Sequence, residues 1–232
     1  MKSIAGWPVG AASALAASAL AASALALVLG CSGDNGAKTF VDAAPLDATT
    51  VIVAGGDGGD AGDGGECITT IQQHADEGAT HISCLTSFDY QTEPPSSGNH
   101  YNCWAAYQTY SAPIPWGNLV HSLEHGAIVI VYNCPAGCDA DVANIQAFID
   151  GLPLDGDCAP SLGKNRMILM PDPDPNLGVR FAASSWDWTL RADCFDPIAF
   201  RQFFDDHYDH GREVICSDGW TGAGLCSSCP YE

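Results

Sequence analysis

Positive charge is what this sequence most lacks. Its 232 residues carry 8 lysines and arginines against 28 aspartates and glutamates, a net charge of −20. Such a surface cannot neutralise phosphates, which argues against nucleic acid or an anionic membrane patch as the partner. It favours cations, or simply solubility. Three catalytic signatures are missing as well: there is no nucleophile elbow, no phosphate loop and no dinucleotide fingerprint.

The first 31 residues hold one charge, Lys2, and residues 32–66 hold one aromatic, Phe40. Residues 12–26 are three copies of Ala-Ser-Ala-Leu-Ala, followed by Leu27-Val28-Leu29-Gly30-Cys31. A basic start, an apolar run and a small residue before Cys31 read as a bacterial signal peptide over 1–30, of lipoprotein type. Cys31 is the expected lipid acceptor. Simple secretion and an uncleaved anchor are the alternatives, but alanine and serine make a weak membrane span. Residues 31–66 end in a glycine run with Asp57, Asp60 and Asp63 and bury too little apolar surface to offset ordering. They are expected to be a disordered tether. The faint likeness to a calcium-binding glycine–aspartate repeat fails for want of stacked copies with apolar positions. Residues 67–232 are then one globular domain, tied through its lipid to the cell envelope, at the outer membrane or facing the periplasm.

Cysteine is plentiful. Cys67, Cys84, Cys103, Cys134, Cys138, Cys158, Cys194, Cys216, Cys226 and Cys229 all fall in that domain. An even count behind an export signal reads as disulfides in an oxidising compartment. The rival is a four-thiolate zinc site on Cys134/Cys138 and Cys226/Cys229.

Periodicity predicts an α+β fold, with a small mixed or antiparallel sheet and two helices on one face behind an irregular, disulfide-stapled front. Ala127–Tyr132 is a continuous apolar run, expected as a buried strand, and Arg166–Met170 is a shorter one. Val179–Leu190 reads as one strand entering the core. A helix over 141–150 puts Val142, Ile145, Phe148 and Ile149 on one face, with Gly151 as its stop. Asp196-Pro197 opens a second helix with Ile198, Phe200, Phe203, Phe204 and Tyr208 on its apolar face. Met167 and Met170 are expected as core filler facing opposite ways, and the tryptophans as core or contact aromatics.

The chemistry concentrates in His121-Ser122-Leu123-Glu124-His125-Gly126. On a short helix capped by Asn118 and stopped by a left-handed Gly126, His121 and His125 share a face and Glu124 lies beside His121. Upstream, the stiff turn Pro94-Pro95-Ser96-Ser97-Gly98-Asn99 delivers His100. Neutral imidazoles with a carboxylate suit zinc or copper(II). His100, His121 and His125 are therefore expected to bind one divalent transition metal, with Glu124 as ligand or orienting acceptor. The competing expectation is that these imidazoles simply bond loop carbonyls. A third is enzymatic. His-x-x-Glu-His is the order used by inverted zinc peptidases, where two histidines hold zinc and the glutamate activates water. Here Gly126 and the following strand cut the helix short. A purely structural or partner-binding surface protein is the remaining alternative.

Pro94-Pro95-x-Ser97-Gly98-x-His100-Tyr101, with Leu119–Ala127 and the strand after it, resembles a bacterial family of unknown function. The resemblance covers roughly residues 80–210, including Ser184-Ser185-Trp186 and the final phenylalanine-rich helix. It implies an exported or membrane-tethered domain with no assigned reaction. It also adds His81 as a candidate ligand, at a position where that family tends to carry histidine.

Overall fold

The computed structural model describes residues 38–43, 48–54, 67–83 and 86–221, of which the first two segments are described by their backbone. The expected signal peptide, Cys31, Cys84, Cys226 and Cys229 lie outside the described residues. β1 (Lys38–Ala43), β2 (Ala48–Ala54) and β3 (Cys67–Gln73) precede two short strands, β4 (His81–Ile82) and β5 (His100–Tyr101). Then come α1 (Trp116–Glu124), β6 (Ile128–Tyr132), α2 (Asp139–Asp150), α3 (Ala159–Leu162) and β7 (Met167–Pro171). A hairpin of β8 (Phe181–Ser185) and β9 (Trp188–Ala192) leads to α4 (Pro197–His207).

One mixed sheet runs in the order β1-β2-β3-β9-β8-β6-β7. The β6–β7 pair is parallel and its other pairs are antiparallel. A parallel pair needs a long crossover, and α2 and α3 supply it. β6 is apolar along its length because both faces of the sheet are covered. Ile128 and Ile130 join one core cluster with Ile145 of α2 and Phe200, Phe203 and Phe204 of α4. Val129 and Val131 join the other, with Leu119, Val120 and Leu123 of α1. Met167 and Met170 divide between the same two clusters, as strand alternation requires.

Several expectations change. Helices cover both faces of the sheet, because α1 packs opposite α2 and α4. The stretch read as one strand over 179–190 is a hairpin whose turn is Trp186-Asp187, with Asp187 in the left-handed region at φ 62°. The front is less irregular than expected, since β3 enters the main sheet beside β9. Two segments of the expected tether, 38–43 and 48–54, are strands extending that sheet. Their threonines and valines favour extended backbone, which the glycine–aspartate composition nearby obscured. Ile198, assigned to the apolar face of α4, is 59% exposed. It sits in the first turn, where Asp196 accepts a capping bond from its N–H at 2.9 Å.

Cys67–Cys194, Cys134–Cys138 and Cys158–Cys216 are disulfides, and Cys103 is disulfide-bonded too. Cys134 and Cys138 are thus spent on each other, which removes half of the four-thiolate zinc alternative. Such bonding suggests a domain that lives outside the cytoplasm. No helix among the described residues is long and apolar enough to cross a membrane.

Candidate metal centre

α1 is a nine-residue helix with residues 117–124 all buried. It starts after Pro115, so Asn118 lies inside the helix and is no cap. Asn118 instead donates from Nδ2 to the Cys103 carbonyl at 2.8 Å. Ser122, one turn on, bonds both backbone groups of Ala105 at 3.1 Å. These two anchors hold the 101–105 segment along the polar face of the helix. His121 and His125 occupy the same face. Gly126, at φ +82°, ends the helix in the left-handed conformation expected of it.

The second wall comes from β4 and β5. Their parallel pairing sets His81 opposite His100, so both side chains leave the same side of this small ladder. His100 is fully buried, His121 and Glu124 nearly so, while the His81 side chain is 48% exposed. Neighbouring imidazole centroids among His81, His100 and His121 lie 4.6–4.9 Å apart. Donor atoms of His81, His100, His121 and Glu124 all fall within 4.8 Å of one another, so the cluster could hold a metal ion. Trp104 stands against His121, and Trp186 presents an edge to His100.

Backbone carbonyls fix the imidazoles. His100 donates from Nδ1 to Gly98 O at 2.8 Å, and His121 from Nδ1 to Tyr101 O at 2.6 Å. In the neutral rings this leaves each Nε2 as a lone pair. Burial holds them neutral, pushing His100 down to about 4 and His121 to about 2, the latter helped by His125 and His100. The Glu124 carboxyl is pushed up by burial and by the charge of Glu213. His100 Nε2 and Glu124 Oε2 lie 2.9 Å apart, yet neither makes a hydrogen bond. Two acceptors so close repel unless a cation or a proton joins them. A proton would serve that one pair. His81 Nε2, 3.5 Å from the same oxygen, and His121 bring the donors to four. Ligands of a tetrahedral zinc ion sit about 3.3 Å apart, between the two separations observed.

The residues expected to converge are therefore sorted differently. His125 stands outside the four-donor group, with its ring 4.6 Å from His121. It groups instead with Glu124 and Glu213. Sharing a helix face was not enough, because His81 takes the place next to His100. The peptidase-like arrangement needs His121 and His125 on one ion, and these two fall in separate groups. Glu213 was missed altogether, having no local signal in its loop.

The chain matches the model of a family described as a protein of unknown function (DUF3105) over residues 81–218. It belongs to that family. No curated protein and no solved structure matches it. The DUF3105 region starts at His81 itself and ends beyond Glu213, so it contains the whole cluster. β1, β2 and β3 lie ahead of it.

Proposed function

We propose that the protein is an exported, lipid-anchored metal-binding domain holding one zinc or copper(II) ion on His81, His100, His121 and Glu124. The observation that carries this reading is the pair of buried, unpartnered acceptors, His100 Nε2 and Glu124 Oε2, facing each other at 2.9 Å. Carbonyl-anchored Nδ1 atoms support it, since metal-bound histidines are usually oriented in this way. Imidazole nitrogens with one carboxylate are borderline donors, which suits these two metals over calcium or magnesium. When bound, the ion supplies a positive charge that neutralises the buried carboxylate and locks loop 74–101 to α1. Four protein donors fill a tetrahedral site, which fits holding an ion better than activating water on it. Half-exposed His81 is the donor through which an ion would enter and leave.

The test is elemental analysis of the full chain, isolated without chelator from an oxidising compartment. Stoichiometric zinc or copper in the parent, and its loss in His100→Ala, is the expected result. A metal-free parent that takes up neither ion on titration would overturn the reading. The anchor is tested separately: Cys31→Ala should move the chain from the membrane fraction to the soluble one or leave it unprocessed. An unchanged distribution would remove the lipid from the proposal.

A further inference from the structure

Glu124 is shared by two groups of donors. On its other side lie His125 and Glu213, and the ligand atoms of all three fall within 4.8 Å of one another. His125 is 1% exposed, and its Nδ1 has no hydrogen-bond partner. Its Nε2 faces Glu213 Oε2 at 3.9 Å, too far for a hydrogen bond and within the span of two ligands on one ion.

Glu213 is not there by chance of a floppy tail. Residues 209–220 form a strap across the end of α1 and the 104–107 segment. Asp209 N–H donates to Gly126 O at 3.0 Å, and Glu213 N–H to Glu124 O at 2.9 Å. A Cβ on Gly211 would sit 2.2 Å from Glu124 O, so only glycine allows this approach. Further along, Trp220 exchanges backbone bonds with Trp104 and Ala106, and Cys216 is bonded to Cys158. The nearby cations are already committed, Arg166 to Asp209 and Arg212 to Asp76. Two adjacent carboxylates, Glu124 and Glu213, are left to share a neutral imidazole.

We propose that Glu124, His125 and Glu213 form a second site for a divalent transition cation, bridged to the first through the two oxygens of Glu124. Carboxylate-bridged pairs of ions are a standard arrangement where one carboxylate lies between two donor sets. This site differs from the first in being open. It has three protein donors, and the Glu213 side chain is 55% exposed, which leaves coordination positions for water or a small anionic ligand. The inference rests on the first cluster being a metal site, because Glu124 serves both.

Zinc bound per chain, counted after desalting at physiological salt, separates the outcomes. The parent should retain two equivalents. Glu213→Gln, a change at an exposed side chain that leaves the strap's backbone bonds in place, should retain one. Glu124→Gln should lose both. A parent that retains one equivalent overturns this inference and leaves the single-ion reading standing, whereas a parent with none overturns both. Two equivalents persisting in Glu213→Gln would also overturn it, by placing the second ion elsewhere. His125→Gln is the confirmatory variant, with circular dichroism against the parent to check that burial of the new amide has not unfolded the domain.

Discussion

On the α2/α4 face of the sheet, Ile145, Phe200, Phe203 and Phe204 close over Ile128, Ile130, Phe181 and Leu190, and the packing is apolar throughout the cluster. On the α1 face, Leu119, Val120 and Leu123 do the same job with one side of the helix, while its other side buries Asn118, His121, Ser122 and Glu124. The first face lowers its free energy mainly by apolar burial, roughly 1.5–3 kcal/mol per large side chain. The second gives up some of that gain, because buried polar groups stabilise only when satisfied. Ser122 meets that condition through the Ala105 backbone, and Asn118 does so with Nδ2 on the Cys103 carbonyl, although its Oδ1 has no partner. His100 Nε2, Glu124 Oε2 and His125 Nδ1 do not. Unpartnered buried atoms occur elsewhere too, at Thr69 and Asp196 for instance, but those of His100, Glu124 and His125 belong to side chains gathered in adjoining donor groups.

The largest effect should come from the apolar face. Phe203→Ala is expected to cost about 3–5 kcal/mol of unfolding free energy, the usual range for a buried phenylalanine. Zinc content of the folded fraction should not change. Denaturant midpoints together with metal analysis check both statements. Loss of metal along with stability would mean that the two faces are not independent.

A smaller and opposite pattern is expected on the α1 face. With free metal at 100- to 1,000-fold above its dissociation constant, binding adds about 2.7–4.1 kcal/mol to stability. A chelator should remove that amount from the parent and nothing from Glu124→Gln. In the metal-free state the order reverses: Glu124→Gln should be as stable as the parent or more so, because an amide replaces a buried carboxylate that has no hydrogen bond to Oε2. A residue kept for packing would destabilise both states when changed. Melting curves of parent and variant, each with zinc and with chelator, distinguish these behaviours.

How legible each face was in the sequence follows from the same contrast. The apolar spacing in 141–150 and 196–208 announced both helices, and the continuous run at 127–132 announced a strand covered on two sides. Periodicity is a local signal, and those elements obey it. Turn chemistry was harder: Trp186-Asp187 carries no glycine, so the hairpin was hidden inside what read as one strand, and Asp187 takes the left-handed conformation that aspartate tolerates. Around the site, the motif at 121–126 and the Pro-Pro loop gave His100, His121 and Glu124. The i, i+4 spacing put His125 with them, because it knows the helix face and not the neighbouring β4–β5 ladder. His81 was reached through family resemblance, and the observed pairing His81↔His100 is the tertiary fact behind it. Glu213 depends on a strap whose course is set by bonds to Gly126 and Glu124, some 85 residues earlier in the chain. No local pattern encodes that.

The smallest expected effect sets a titrating group on the apolar face, away from the metal donors. His207, in the last turn of α4, is 8% exposed and stacks on Trp188 with ring centroids 4.2 Å apart. Burial holds its imidazole down to about 4, against an ordinary value of 6.5. Between those two values the unfolded chain binds a proton that the folded one refuses. Stability from this residue is therefore complete above pH 6.5 and falls as the pH drops toward 4. His207→Phe keeps the stack on Trp188 and removes the proton, so its stability should decline less steeply over that window than the parent's. Both proteins should carry chelator throughout, which keeps metal release from adding its own slope, and His100 and His121 contribute equally to each. Denaturant titrations at pH 7, 6, 5 and 4.5 give the difference. Parallel pH profiles would show that His207 takes up its proton within the folded state, and that the α2/α4 face tolerates a buried charge which its apolar packing says it should not.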